Sequence, residues 1–413
     1  MEIIYQHVAG LDLHQRTIVA AMRCIDAAGK LNEEVRTFGT MTRDLLELSD
    51  WLTSHDVTHV AMEATGVLWK PVWNIFDGHF ELLLVNPHEL KQVPGRKSDI
   101  KDSQWIAQLL QHGLLRSSFV PPRPQRELRD LTRHRAQLQG EHTRAANRIH
   151  KLLEDANIKL GSMVSDILGV SGREILDALV AGEEDPATLA QSARGRMKPK
   201  IPELALALEG HFNDHHRFML RQLLSHVDHL EEQIAAFTAR IEQLMASWMD
   251  TKLQEKLDAI PGVNATTIQN VVAEIGTDMS QFPSHAHLAS WAGMCPGNEE
   301  SAGKRKRHKT TKGDRWLRRS LIQAAWAAAH TRDTYLTSQY HRLAGRRGKK
   351  RALVAVGHSL LVIIYHILKH RVEYHDLGPD YFLRLEPERQ KRYLVKRLQQ
   401  LGYEVHLSQQ QLA

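Results

Sequence analysis

His7-Val8-Ala9-Gly10-Leu11-Asp12-Leu13, followed after a short turn by a second apolar run over residues 16–24, is the stretch on which the fold class of this chain turns. Both runs are short and largely apolar, and read as two β-strands around a turn. Working outward, residues 35–39 offer a third strand, and residues 58–62 and 82–85 are short apolar runs of the kind that become buried strands. Residues 43–53 carry helical spacing through Leu45, Leu46, Leu48 and Trp51, and residues 100–115 place Ile106, Leu109 and Leu110 on one side of a helix. Strands first and a helix last predict a central sheet covered by helices over residues 1–119, an α/β domain.

Beyond Pro121, Pro122 and Pro124 the pattern changes, and no strand-like alternation returns for over a hundred residues. Leu131, Leu138, Ala145, Ile149 and Leu152 form a heptad-like stripe. A second stripe, Leu220, Leu223, Val227, Leu230, Ile234, Phe237, Ile241 and Leu244, alternates spacings of 3 and 4 without a break, the pattern of a coiled-coil seam. The two helices pair either within one chain or between chains, and if between chains the second stripe is an association surface. Residues 255–260, the turn Pro261-Gly262-Val263-Asn264 and residues 265–275 read as a helix-hairpin-helix-like element, whose backbone N–H groups suit a phosphate. Asn264 stands where a second glycine is usual, and Asn tolerates the left-handed conformation. A plain αα-hairpin within a core is the alternative. The expected organisation is therefore α/β plus all-α: a sheet domain over 1–119, a coiled-coil middle over 120–250, a helical domain over 251–375, and an amphipathic tail helix over 376–413 bearing Tyr393, Leu394, Leu398 and Leu401.

The chain has 413 residues and a net charge of +6. Residues 303–351 hold 16 Lys and Arg against two acids, Asp314 and Asp333, so this block carries +14 and the remainder carries −8. A concentrated basic block on a mildly acidic body points to a polyanion partner. Cys24 and Cys295 are the only cysteines, too few for a disulfide framework or a zinc site, and they suit a reducing cytosol. The first ten residues contain Glu2 and His7 and no apolar core, so no signal peptide is expected. The longest apolar run, residues 352–368, is broken by His358 and His366 and reads as a buried helix rather than a membrane span.

Four acids stand out by position. Asp12 closes the first apolar run, and Glu63 closes Val60-Ala61-Met62 just before Ala64-Thr65-Gly66. Asp99 and Asp102 stand three apart at the start of a helix, which puts them on one face. Singly, each has a plain explanation: Asp12 as a turn cap, Asp99 as a helix N-cap with Asp102 favouring the dipole. Together they are an oxygen-rich, cysteine-free set of the kind that selects Mg²⁺ or Mn²⁺.

A second constellation lies in the basic block: Ala292-Gly293-Met294-Cys295-Pro296, then Glu300-Ser301-Ala302-Gly303-Lys304-Arg305-Lys306-Arg307, then Thr311-Lys312-Gly313-Asp314-Arg315-Trp316-Leu317-Arg318-Arg319. Small residues around Ser301 leave room for a phosphate, and Lys304, Arg305, Lys306, Arg307 and Lys312 are candidates to steady its charge. Asp314 suits an N-cap, after which Arg315, Arg318 and Arg319 share a helical face. Read alone, Ser301 is a turn residue like many others.

Gly10-Leu11-Asp12-Leu13-His14, Met62-Glu63-Ala64-Thr65-Gly66, Asn86-Pro87 and Ser98-Asp99-Ile100-Lys101-Asp102, taken with the motifs around Ser301 and Pro261-Gly262, resemble the DEDD-type transposases of bacterial insertion sequences. The resemblance runs from about residue 7 to the tail, apart from the variable middle. It implies an RNase H-like (RuvC-like) N-terminal domain with Asp12, Glu63, Asp99 and Asp102 as a metal-binding catalytic tetrad, and Ser301 as a nucleophile that forms a transient phosphoserine link to DNA. Some relatives carry two adjacent serines before two glycines, whereas here Glu300 precedes Ser301 and Ala302 follows it. The resemblance further implies donor and target DNA as partners, a structured guide RNA encoded by the element, a homo-oligomer (dimer or tetramer), no membrane, and a bacterial cytoplasm with the nucleoid as the place of action. Helix-turn-helix, zinc-finger and RNP aromatic motifs are absent. Two other readings stay open: a metal-dependent nuclease using water with Ser301 structural, and a non-catalytic nucleic-acid scaffold built on the coiled coil.

Overall fold

β1 (His7–Leu13) runs through the middle of a five-stranded sheet of order β3-β2-β1-β4-β5, with β2 (Thr17–Ile25), β3 (Leu31–Gly39), β4 (His59–Glu63) and β5 (Glu81–Val85). The computed structural model describes residues 2–26, 28–90, 102–296, 300–301, 304–305, 310–385 and 387–407. They divide into two compact units, Met1–Pro121 and Pro122–Ala413. In the first, β2 pairs antiparallel with β1 and β3, while β1, β4 and β5 are parallel neighbours. That order and polarity make an RNase H-like sheet. The strands begin and end within a few residues of the apolar runs, because each run must be buried on at least one face.

Both faces of the sheet are covered. α1 (Thr42–Thr53) and α2 (Trp69–Phe76) bring Leu45, Leu48, Leu52, Val72 and Phe76 onto Ala9, Leu11, Val60 and Met62. α2 is missing from the sequence expectations; its Pro71 stands in the first turn, where a missing N–H breaks no helical hydrogen bond. After the short α3 (Pro87–Leu90), α4 (Asp102–Gln111) covers the other face, Ile106 and Leu110 packing with Val8, Ala61 and Val85. Gly10 lets α4 come this close: a Cβ there would lie 2.3 Å from the Ser103 carbonyl oxygen and 2.4 Å from the Ala107 nitrogen.

The second unit is helical. α5 (Arg123–Asp155) and α10 (Asp214–Trp248) lie antiparallel along most of their length: Asp155 meets His216, His142 meets Glu231, and the rings of His134 and Phe237 stand 4.7 Å apart. The seam is therefore within one chain, and Leu220, Val227, Leu230 and Ile241 are buried in it. Of the two open pairings, the one within the chain is formed: it buries Leu220 and Leu230 and leaves Leu223 and Leu244 half-buried. α6 (Leu160–Met163), α7 (Val170–Ala181), α8 (Pro186–Ala190), a 3-10 turn (Gly195–Lys200) and α9 (Ile201–Ala207) share a core with the far end of this hairpin.

The near end packs on a second core built by α11 (Thr251–Asp258), α12 (Ala265–Ile275), α13 (His285–Trp291), α14 (Arg315–His330), α15 (Tyr335–Arg347) and α16 (Lys349–His370). α16 is the one helix among the described residues long and apolar enough to cross a membrane, yet half of that span is buried, and Tyr365 donates from its hydroxyl to the Phe282 carbonyl at 3.0 Å. The turn between α11 and α12 departs from expectation. Asn264 is extended, with φ −132°, and caps α12 by accepting from the Thr267 N–H at 2.9 Å. The left-handed residue is Gly262, at φ +81°, where a Cβ would meet the backbone of α14 at 2.4 Å. Tight packing on α14 thus accounts for this glycine without a phosphate. α17 (Tyr381–Leu385) and α18 (Pro387–Gln400) end the described chain, and Tyr393, Leu394, Leu398 and Leu401 of the tail are exposed.

Candidate active site

Strand alternation brings two of the four acids together. Val8 and Ala61 face α4, so Asp12 and Glu63 share that face by period two. Gly10 pairs with Ala61 and Leu11 with Met62 across the parallel strands β1 and β4. Asp12 and Glu63 follow as neighbours at the C-terminal strand ends, about 4.8 Å apart in strand spacing. Asp102 begins α4, one residue before the Ser103 carbonyl that lies against Gly10. Three carboxylates from three elements thus belong to one edge of one face. Among the described residues, no three or more acidic, His or Cys side chains are grouped closely enough to hold an ion. Asp99 lies outside the described residues. Asp12 Oδ2 contacts His14 Nε2 at 3.1 Å, and its side chain is partly exposed. The donor chemistry is all carboxylate oxygen, on elements whose ends are open to solvent, and fits a hard divalent cation.

Ser301 sits in a two-strand ribbon. β6 (Glu300–Ser301) pairs antiparallel with β7 (Lys304–Arg305), Ser301 opposite Lys304 and Glu300 opposite Arg305. The base of this ribbon is well held. Pro296 bridges Thr310, and the Thr311 N–H donates to the Cys295 carbonyl at 3.2 Å. Gly293 and Gly313 pack backbone to backbone: a Cβ on Gly313 would lie 2.2 Å from the Gly293 nitrogen. Asp314 then caps α14, accepting from the N–H groups of Trp316 (2.9 Å) and Leu317 (2.7 Å). Lys312, Arg315 and Arg319 are exposed, whereas Arg318 is half-buried and departs from the common face expected of the three arginines. Lys306 and Arg307 lie outside the described residues.

The ribbon's base has partners that the sequence reading passed over. Glu274 on α12 is 2% exposed and accepts two hydrogen bonds from Arg133 of α5, at 2.8 and 2.7 Å. Arg129 reaches the same carboxylate at 3.3 Å and also donates to the Ala273 and Glu274 carbonyls. Arg133 continues to Asp314 at 3.2 Å. Burial pushes the Glu274 carboxyl above its ordinary value, although the hydrogen bond from Arg133 pulls the other way. A lone acid within Val271-Val272-Ala273-Glu274-Ile275 was the signal available in the sequence, because a carboxylate in an apolar run must find a cation.

Comparison with known proteins covers the two stretches of chain in which these residues lie. A family model for the DEDD transposase of IS110 type, described as a transposase, matches residues 9–158. A second, described as transposase IS116/IS110/IS902 family, matches residues 254–342. This chain belongs to the IS110-type DEDD transposases. As a member of this family it is a DNA transposase or recombinase. Insertion element IS110 uncharacterized 43.6 kDa protein of Streptomyces coelicolor is 26% identical over 308 residues, 69% of this chain and 74% of that one. The pilin gene-inverting protein of Moraxella lacunata is 26% identical over 147 residues, 35% of this chain and 45% of its own length. T. thermophilus RuvC, solved in complex with a Holliday junction substrate, aligns over 27% of this transposase and all of its own chain, at 14% identity and a TM-score of 0.21.

Proposed function

We propose that this transposase exchanges DNA strands through a covalent serine intermediate, with Asp12, Glu63, Asp99 and Asp102 as the carboxylate set and Ser301 as the nucleophile. The observation that carries the reading is the pairing of Ser301 with Lys304 in a ribbon whose base is closed by Gly293, Gly313 and the Asp314 cap. A serine hydroxyl is a weak nucleophile, and a basic neighbourhood stabilises the charge that develops on an attacked phosphate. The Ser301 Oγ–P bond forms as a P–O bond to a deoxyribose breaks, and the departing sugar oxygen takes a proton. A hydroxyl from a second strand later attacks the phosphoserine, restores a phosphodiester and returns the proton to Ser301. The link conserves bond energy, so rejoining needs no external energy source.

Mg²⁺ or Mn²⁺ held by the four carboxylates would neutralise phosphate charge and assist ionisation of a hydroxyl. The carboxylate set comes from a neighbouring protomer in a homo-oligomer. Lys304, Arg305, Lys306, Arg307, Lys312, Arg315, Arg318 and Arg319 hold phosphate backbone, and a structured guide RNA from the element selects donor and target. The place of action is the bacterial nucleoid. A nicked suicide substrate tests the chemistry. The native chain should yield a protein–DNA adduct on a denaturing gel, with the label on the Ser301 peptide by mass spectrometry. Efficient cleavage by Ser301→Ala, with free ends and no adduct, would replace the serine with water as nucleophile.

A further inference from the structure

α14 buries one side and leaves the other bare. Leu317, Ser320, Leu321, Ala324, Ala325 and Ala328 face the core. Arg315, Arg319, Gln323, Trp326 and His330 are all exposed. Their spacings of four, four, three and four put them on one stripe, about 22 Å long at ~1.5 Å per residue. No acid interrupts residues 315–330, and neither Arg315 nor Arg319 has a carboxylate partner among the described residues.

Trp326 is the informative member. It is 59% exposed, and every other tryptophan of the chain is half-buried or buried. An indole left on the surface gains nothing from the core, and aromatic side chains left open beside cations are how proteins hold bases. His330 completes the surface: its ring lies 4.4 Å from that of Trp326, tilted by 38°, and its Nδ1 is held 2.7 Å from the Trp326 carbonyl oxygen. The platform is thus braced by its own helix.

We propose that this stripe binds an unpaired nucleic-acid strand. Arg315 and Arg319 take consecutive phosphates, Gln323 hydrogen-bonds a base edge as both donor and acceptor, and a base stacks on Trp326 beside His330. The order along the helix is cations, then carboxamide, then π-surface. Positive charge without acids selects a polyanion, and an open aromatic face selects unstacked bases, which a duplex keeps within its own stack. The inference rests on the strand-exchange reading, because a cut and unpaired strand must be held until it is rejoined.

Anisotropy titrations of the full chain with labelled oligothymidylate, oligouridylate and a duplex, each of about 20 nucleotides per strand, test it. Trp326→Ala should weaken single-strand binding about tenfold, while Trp326→Phe retains most of the affinity and duplex binding changes less than about twofold. Loss with oligothymidylate alone assigns the strand as DNA, and loss with oligouridylate alone assigns it as RNA. Arg315→Ala and Arg319→Ala should each reduce the salt slope for single strands by about 0.7. Unchanged single-strand affinity in Trp326→Ala, or equal loss on the duplex, overturns the proposal. Thermal unfolding should be unchanged in Trp326→Ala, since the indole packs little. The Ser301→Ala chain should bind single strands normally, so a failure of the covalent chemistry and a failure of this platform are separately visible.

Discussion

The sheet of residues 7–85 and the ribbon of Glu300–Ser301 and Lys304–Arg305 place the proposed site residues in opposite ways. In the sheet, each acid is placed by its own strand. Period two sends Asp12 and Glu63 to the α4 face, and the pairing of Leu11 with Met62 makes them neighbours. The ribbon has two residues per strand, too few to place Ser301 by themselves. The contacts that flank it lie about ten residues away: the Gly293–Gly313 contact, the Asp314 cap and, through Arg133, a buried glutamate on another helix. An acid on a central strand is protected by the fold, whereas a serine on a short ribbon depends on the rigidity of its base.

That contrast can be broken experimentally. The largest effect is expected at Asp102, exposed at the start of α4. Asp102→Ala should abolish strand exchange, by a thousandfold or more on the order seen when one member of a catalytic unit is removed. Its unfolding free energy should stay within about 0.5 kcal/mol of the parent, as for most surface changes. Retained exchange would remove Asp102 from the carboxylate set. Glu274→Ala leaves Arg129 and Arg133 without their buried carboxylate and should destabilise the helical unit by about 3–5 kcal/mol in urea unfolding. A mild loss of stability would show that the ribbon's base is held by the glycine contact alone.

Leu230→Ala should cost about 2–5 kcal/mol, because the side chain is 3% exposed in the α5–α10 seam. This loss should not vary with protein concentration. A concentration-dependent loss would restore the seam as an interface between chains. Gly10→Ala is the smallest change in chemistry and should destabilise the sheet unit by about 1–3 kcal/mol, with α4 pushed off β1. Because Asp102 rides on α4, exchange should fall more than stability alone explains. An unaltered rate would separate the helix packing from the site.

Much of the sheet was legible because burial leaves a pattern. The runs that end at Asp12 and Glu63 are apolar since β1 and β4 are covered on both faces, and their last residues reach the open edge. The unbroken spacing in α10 reported a seam, since it is a sum over neighbours in the chain. Other features were decided only in three dimensions. Whether the seam closes within one chain depends on the turn-back through α6 to α9, which no local pattern encodes. Gly262 reads as a phosphate-facing turn until its contact with α14 is known. Arg133, Glu274 and Asp314 are 141 and 181 residues apart along the chain from Arg133, and their union is a property of helix packing. The stripe on α14 needed the same knowledge: the order Arg, Arg, Gln, Trp, His is in the sequence, but its exposure depends on which face of the helix the core claims. Local periodicity is set by backbone geometry and can be read from neighbours, whereas burial and long-range ion pairing depend on which elements meet, and that is settled only when the whole chain has packed.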